Sequence, residues 1–150
     1  MSELNNQPVK AIIFDCFGVL VASSLEPFYE KYLYGSNELI EEARYLDRQA
    51  SMGQISYDEF VSQMAILARI SEKETRGFLD NNPRNRELLN YIGQKLKPKY
   101  KIGFLSNASD NWLSELFTQE QIKLFDQIVL SCDVKLAKPD HKMYEIIADK

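Results

Sequence analysis

Residues 10–20 read KAIIFDCFGVL, and the reading of this stretch decides the fold. Lys10 to Phe14 is a short apolar run of the kind that forms a parallel-sheet strand buried on both faces. Asp15 stands where that strand ends, and Gly18 follows at a position suited to a tight turn. Ligands of open α/β sheets gather at the carboxyl ends of the strands, so an acid placed here is a candidate for chemistry.

Beyond this strand the period changes. From about Ser23 to Asn82, apolar residues recur at spacings of three and four: Phe28, Tyr32 and Leu33, then Leu39, Ile40, Ala43 and Leu46, then Phe60, Met64 and Leu67. The pattern predicts a helical insertion punctuated by Gly53 and Ser56. Ser71 and Glu74 have capping-box spacing for a further short helix reaching Leu79, and NNPRN at 81–85 is the hinge back.

Leu88, Leu89, Ile92 and Leu96 then mark a helix ending near Pro98, and YKIGFLS at 100–106 reads as a strand. A helix around Trp112 to Phe117, a strand around Gln127 to Ser131 and a last helix opening near Pro139 continue the alternation expected of an α/β fold with a parallel sheet. No repeat or low-complexity segment interrupts it.

Composition narrows the function classes. The 150 residues are 45% hydrophobic and 11% aromatic, enough for one ordinary core with a small appended domain. A net charge of -4 comes from interspersed acids and bases, so no nucleic-acid footprint is present. No apolar run approaches the roughly 20 residues of a membrane helix, and Met1 to Lys10 is polar without a signal-peptide core. Cys16 and Cys132 are too few for a disulfide framework and form no Cys-x-x-Cys pair, which fits a reducing, cytoplasmic setting. A single histidine, His141, weakens any zinc-site or histidine-based triad reading.

Three separated pieces carry the chemistry: IIFDCFGVL at the first strand, GFLSNAS at 103–109 and KLAKPD at 135–140. In this order and context they resemble the haloacid dehalogenase (HAD) superfamily of hydrolases. The resemblance implies an incomplete Rossmann-like core from 1–22 and 83–150, with a helical cap at 23–82. It also implies an aspartate nucleophile at Asp15, a hydroxyl at Ser106 and a catalytic lysine at Lys138; Asn107, beside Ser106, is a candidate either for substrate contact or for shaping the loop. A carboxylate can form a covalent intermediate that splits a difficult step in two. A hydroxyl and loop N–H groups can hold a phosphoryl or carboxylate oxygen, and a lysine supplies a compact positive charge. Taken singly, each has a bland reading: a turn-capping Asp, an ordinary Ser-Asn loop and a solvated lysine before a helix. Cys16 is expected to be buried packing, His141 a surface residue and Trp112 part of the core.

The chain departs from the family pattern at two points. HAD phosphatases typically carry a second Asp two residues after the nucleophile, as general acid and then base. Here that residue is Phe17, which cannot supply the ~10²–10⁴-fold that such proton transfer contributes. An aromatic at this place resembles 2-haloacid dehalogenases, whose halide leaving group needs no proton. Those enzymes also use a cap arginine, for which Arg44, Arg48 and Arg69 are available. Second, the acidic fourth motif that completes a Mg²⁺ site in phosphatases belongs after the helix Met143 to Lys150, and Asp149 does not substitute for it.

The expected function is therefore a hydrolase in which Asp15 attacks a small anionic substrate, a phosphomonoester first. A C–halogen hydrolase is the alternative, and a binding or regulatory module with lost catalysis is a third. Mg²⁺, with Asp15 as one ligand and others beyond Lys150, goes with the phosphatase; no cofactor goes with the dehalogenase. The 150 residues are expected to be the front of a longer parent, inactive alone and liable to self-association through KAIIF as an exposed sheet edge. The partner is a small molecule, with neither nucleic acid nor membrane.

Overall fold

The fold is taken from a computed structural model, in which residues 8–149 are described. Most of the polar stretch read at Met1–Lys10, and the ligands expected beyond Lys150, lie outside the described residues. Three strands, β1 (Ala11–Phe14), β2 (Lys101–Ser106) and β3 (Gln127–Leu130), form a parallel sheet in the order β1-β2-β3. Phe14 pairs with Phe104 and Ser106 with Leu130. All three strands run the same way, so Asp15, Ser106 and the chain after Leu130 emerge at one edge of the sheet.

Between β1 and β2 lie α1 (Leu25–Tyr32), α2 (Asn37–Ser51), α3 (Tyr57–Ala68) and α4 (Glu72–Leu79), then α5 (Arg86–Tyr91), which runs on into a π-helical turn at Ile92–Leu96. The first four helices bury their own apolar cluster, including Phe28, Leu33, Ala43, Phe60, Val61 and Met64. Helix α3 opens on a reciprocal cap in which the Ser56 hydroxyl accepts from Glu59 N–H and the Glu59 carboxylate accepts from Ser56 N–H. At α4 the expected box is only half made. Ser71 accepts from Glu74 N–H, but the Glu74 carboxylate accepts from the Tyr32 hydroxyl at 2.9 Å, which draws it away from the cap.

The sheet is covered unequally. Ile102 and Phe104 face a cluster with Leu89, Ile92, Leu113, Phe117 and Phe125. Leu105 and Val129 face α9 (His141–Ala148) through Met143 and Ile147. Gly103 permits the close approach of α9: a Cβ there would stand 3.0 Å from Ile147 Cδ1 and 3.2 Å from Ile13 Cγ1. β1 differs from the expected doubly buried strand, since Ala11 and Ile13 are exposed. Helix α9 lies over β2 and β3 and leaves that face of β1 open, and among the described residues β1 pairs with β2 alone.

Three further expectations change in detail. The helix read at Trp112–Phe117 is the single turn α6 (Leu113–Leu116), and a further turn that the spacing did not predict, α7 (Gln119–Ile122), follows it, because Phe117 adopts an extended conformation and Thr118 caps a new start. Strand β3 stops at Leu130, and Ser131 opens the turn α8 (Ser131–Val134). Helix α9 begins after Asp140, whose carboxylate accepts from Lys142 N–H. Pro139 therefore precedes the cap rather than occupying the first helical position, and the Lys138–Pro139 bond is cis. Among the described residues no helix is long and apolar enough to cross a membrane.

Phe104 is fully buried, edge-on to Trp112, Phe117 and Phe125. Phe104→Ala is expected to lower stability by about 3–5 kcal/mol in urea denaturation through lost transfer energy and a cavity. At exposed Ile66 the same truncation is expected to change it by no more than about 0.5 kcal/mol.

Candidate active site

The site begins where β1 ends. The Cys16 N–H donates to Asp15 Oδ1 at 2.7 Å, and the N–H groups of Val19, Leu20 and Val21 all close on the Cys16 carbonyl. This tight loop needs a left-handed residue, which Gly18 supplies with φ +79°. The carboxylate is half exposed.

Lys138 arrives from the segment after β3 and places Nζ 2.5 Å from Asp15 Oδ1. Its ammonium also donates to the Leu105 carbonyl at 3.3 Å. Asn107 brackets the lysine backbone from both sides: Oδ1 accepts from Lys138 N–H at 2.7 Å, and Nδ2 donates to the Lys138 carbonyl at 3.3 Å. Ser106 is fully buried, and its hydroxyl donates to the Asn107 carbonyl at 3.0 Å. The hydroxyl must rotate to donate to a ligand, so at rest Ser106 shapes the loop. The structure thus brings Asp15, Ser106, Asn107 and Lys138 together around one point.

That point is the floor of a cleft of about 880 Å³ between the strand ends and α1–α4, within the range of small-molecule sites. Phe17 and Trp112 form an aromatic wall, edge-on with ring centroids 5.0 Å apart. Trp112 therefore faces the cleft as well as the core. From the helical side come Asp47, Tyr57, Arg76 and Asp80, which the periodicity did not single out. The readable signal for Asp47 was an acid inside an apolar helical stripe, four residues after Ala43. Arg44, Arg48 and Arg69 do not line the cleft; Arg44 pairs with Glu26 and Glu41 on the surface.

A seryl bridge ties the helical layer to the site. The Ser131 hydroxyl accepts from Ala108 N–H at 2.9 Å and donates to the Ser51 carbonyl at the end of α2. The last turn of α2 is thus fixed against the loop that carries Ser106 and Asn107.

The ionisation of the neighbours separates useful groups from inert ones. Burial, reinforced by the Asp15 charge and only partly opposed by Lys138, pushes the Cys16 thiol up to about 12, so it stays protonated near neutrality. Burial alone lifts the Asp47 carboxyl to about 6. His141 is exposed and lies outside the cleft.

A magnesium ion wants several oxygen ligands in near-octahedral array. Among the described residues no group of three or more His, Cys, Asp or Glu is placed to hold a metal, and Asp15 already meets the Lys138 ammonium. The described residues do not by themselves fit that ion, and no step is routed through it.

The fold matches solved structures of the HAD type. The HAD family enzyme bt-2542 of Bacteroides thetaiotaomicron superposes with a TM-score of 0.69 at 19% identity, covering 95% of this chain and 78% of that one. The same enzyme in complex with magnesium and inorganic phosphate superposes at 0.67 with 23% identity, covering the same shares of the two chains. L-2-haloacid dehalogenase from Xanthobacter autotrophicus gives 0.61 at 16% identity, covering 95% of this chain and 64% of that one. No protein-family model and no curated protein matches the sequence. The chain has a HAD-like fold, an α/β core with a parallel sheet and flanking helices.

Asn107→Ala removes both hydrogen bonds that bracket Lys138. A loss of about 1–3 kcal/mol in urea-unfolding free energy is expected, from two broken bonds and unpaired backbone groups. An unchanged midpoint would show that Lys138 is held by its side-chain contacts to Asp15 and Leu105 alone.

Proposed function

We propose that this chain belongs to a hydrolase in which Asp15 attacks the phosphorus of a small phosphomonoester bound in the cleft. The observation that carries the reading is the Lys138 ammonium 2.5 Å from Asp15 Oδ1 on the cleft floor. A carboxylate approaching a phosphate dianion meets like-charge repulsion, and a cation between them lowers it. Asp15 forms the new O–P bond as the ester P–O bond breaks, and water then hydrolyses the acyl phosphate. Ser106 and Asn107 hold phosphoryl oxygens, and the helices at 23–82 act as the cap that excludes water. The solved relative that holds magnesium and inorganic phosphate supports this choice of substrate class.

A second reading, hydrolysis of a 2-haloacid with Asp15 attacking carbon, is favoured by Phe17. That side chain offers no proton, a halide requires none, and the Phe17–Trp112 wall is apolar. Magnesium use is proposed only with the first reading. We place the protein in a reducing cytoplasm, where its two free cysteines persist, and propose that the open edge of β1 promotes self-association of the isolated chain.

The test is turnover by the full-length protein on a panel of phosphate esters and 2-haloacids, each with magnesium and with EDTA. Phosphate release abolished by EDTA is the expected result; metal-independent halide release would instead establish the second reading. Asp15→Asn is expected to reduce kcat by on the order of 10⁴-fold or more, the scale of losing a covalent nucleophile. Undiminished turnover by that variant would reject Asp15. No turnover of either class, with phosphate still bound, would leave a binding module.

A further inference from the structure

We propose that Asp47, on the helical side of the cleft, is the proton donor and acceptor that the residue at position 17 cannot be. The proposal rests on the phosphomonoester reading above. Phe17 stands where the leaving group would otherwise find an acid, so the alkoxide must take its proton from another group.

Asp47 lines the same cleft as Asp15, Phe17 and Lys138. It lies four residues before Ser51 and therefore on the same face of α2. Ser51 is held by Ser131, which also holds Ala108, two residues past Ser106. The face carrying Asp47 is thus pinned to the loop that would hold the phosphoryl group, as proton transfer requires.

A structural role does not account for this carboxyl. Among the described residues no hydrogen bond or counter-charge offsets its burial, which acts alone to raise it from an ordinary 3.8 to about 6. A half-buried acid without a partner destabilises a fold. Near neutrality, however, both of its protonation states are populated, as a group that gives and then takes a proton needs. The charged and titratable groups around it are otherwise engaged. Arg76 pairs with Asp58 at 2.6 Å, and the Tyr57 hydroxyl donates to Asp80 at 2.5 Å. Lys138 pairs with Asp15, Arg44 turns to Glu41, and the Tyr29 phenol is held up by burial and by the Asp47 charge itself. Asp110 and Glu115 complete the acidic side of the cleft.

An Asp15 oxygen bonds to phosphorus while the P–O bond to the leaving alcohol breaks, and the departing oxygen takes the Asp47 proton. Water then attacks phosphorus, giving its proton to the Asp47 carboxylate as the bond to Asp15 breaks. Orthophosphate leaves, and both carboxyl groups return to their starting states.

The experiment is a leaving-group series on the full-length protein with Asp47→Asn, Asp47→Glu, Asp15→Asn and, as a surface control on α2, Glu42→Gln. With an alkyl phosphate, Asp47→Asn is expected to lose ~10²–10⁴-fold in kcat/KM. With dinitrophenyl phosphate, whose leaving group needs no proton, the rate of the first step is expected to stay near wild type. The rate limb near pH 6 should vanish in Asp47→Asn, Asp47→Glu should partly restore the alkyl rate, and Glu42→Gln should change neither. Folding is checked by thermal unfolding. The raised carboxyl means the folded chain binds this proton more tightly than the unfolded one, so its stabilising contribution is full below about 3.8 and lost as pH rises to about 6. Asp47→Asn, lacking that decline, should unfold at pH 7.5 no lower than wild type. Equal losses on both esters, or an intact pH limb, overturn the role of Asp47 while an inactive Asp15→Asn keeps the hydrolase reading. An active Asp15→Asn, or a wild type inert towards every phosphate ester, overturns both.

Discussion

Lys138 is the residue on which the site depends. Its ammonium meets Asp15 from the end of β1 and the Leu105 carbonyl from β2, while its own backbone is bracketed by Asn107. One side chain thereby joins the loops after two strands to the segment after the third. A lysine confined in this way is only slightly exposed, so its charge is less screened than that of a surface ion pair and acts on whatever anion enters the cleft. The parallel sheet makes this possible, because all three strands deliver their carboxyl ends to the same edge.

Over that edge the four helices contribute what the core lacks. Their cluster is separate from the sheet's own, so they form a layer with its own packing, yet Ser131 fastens the end of α2 to the loop after β2. The core side of the cleft carries Lys138 and Asp15, with an aromatic wall. The helical side carries Asp47, Asp80, Tyr57 and Arg76. Acidic and hydroxyl-bearing side chains therefore meet the cleft from the helices, and the paired Lys138 meets it from the strand ends.

Much of this was legible in the sequence. Asp15 after KAIIF, Ser106 after KIGFL and Lys138 before the last helix stand where strand and helix periods change, and the structure brings all three together with Asn107. The helical spacing of 23–82 was equally plain, with α1–α4 falling at 25–32, 37–51, 57–68 and 72–79. The edges of elements were less so. Thr118 starts a turn that the spacing did not predict, and Asp140 rather than Pro139 starts the last helix, because a cap is decided by which hydrogen bond a short polar side chain makes.

By itself the sequence determined the α/β alternation, the strand-end acid and the order of the three chemical pieces, since periodicity and turn residues are local properties of the chain. Only the tertiary structure decided that Ala11 and Ile13 are exposed, that Trp112 meets Phe17, that Arg76 rather than Arg44, Arg48 or Arg69 reaches the cleft, and that Asp47 is stranded in it. Each of those facts is set by which element packs over which. Burial and distance across a cleft arise from contacts between residues far apart in the chain, and no local pattern encodes them.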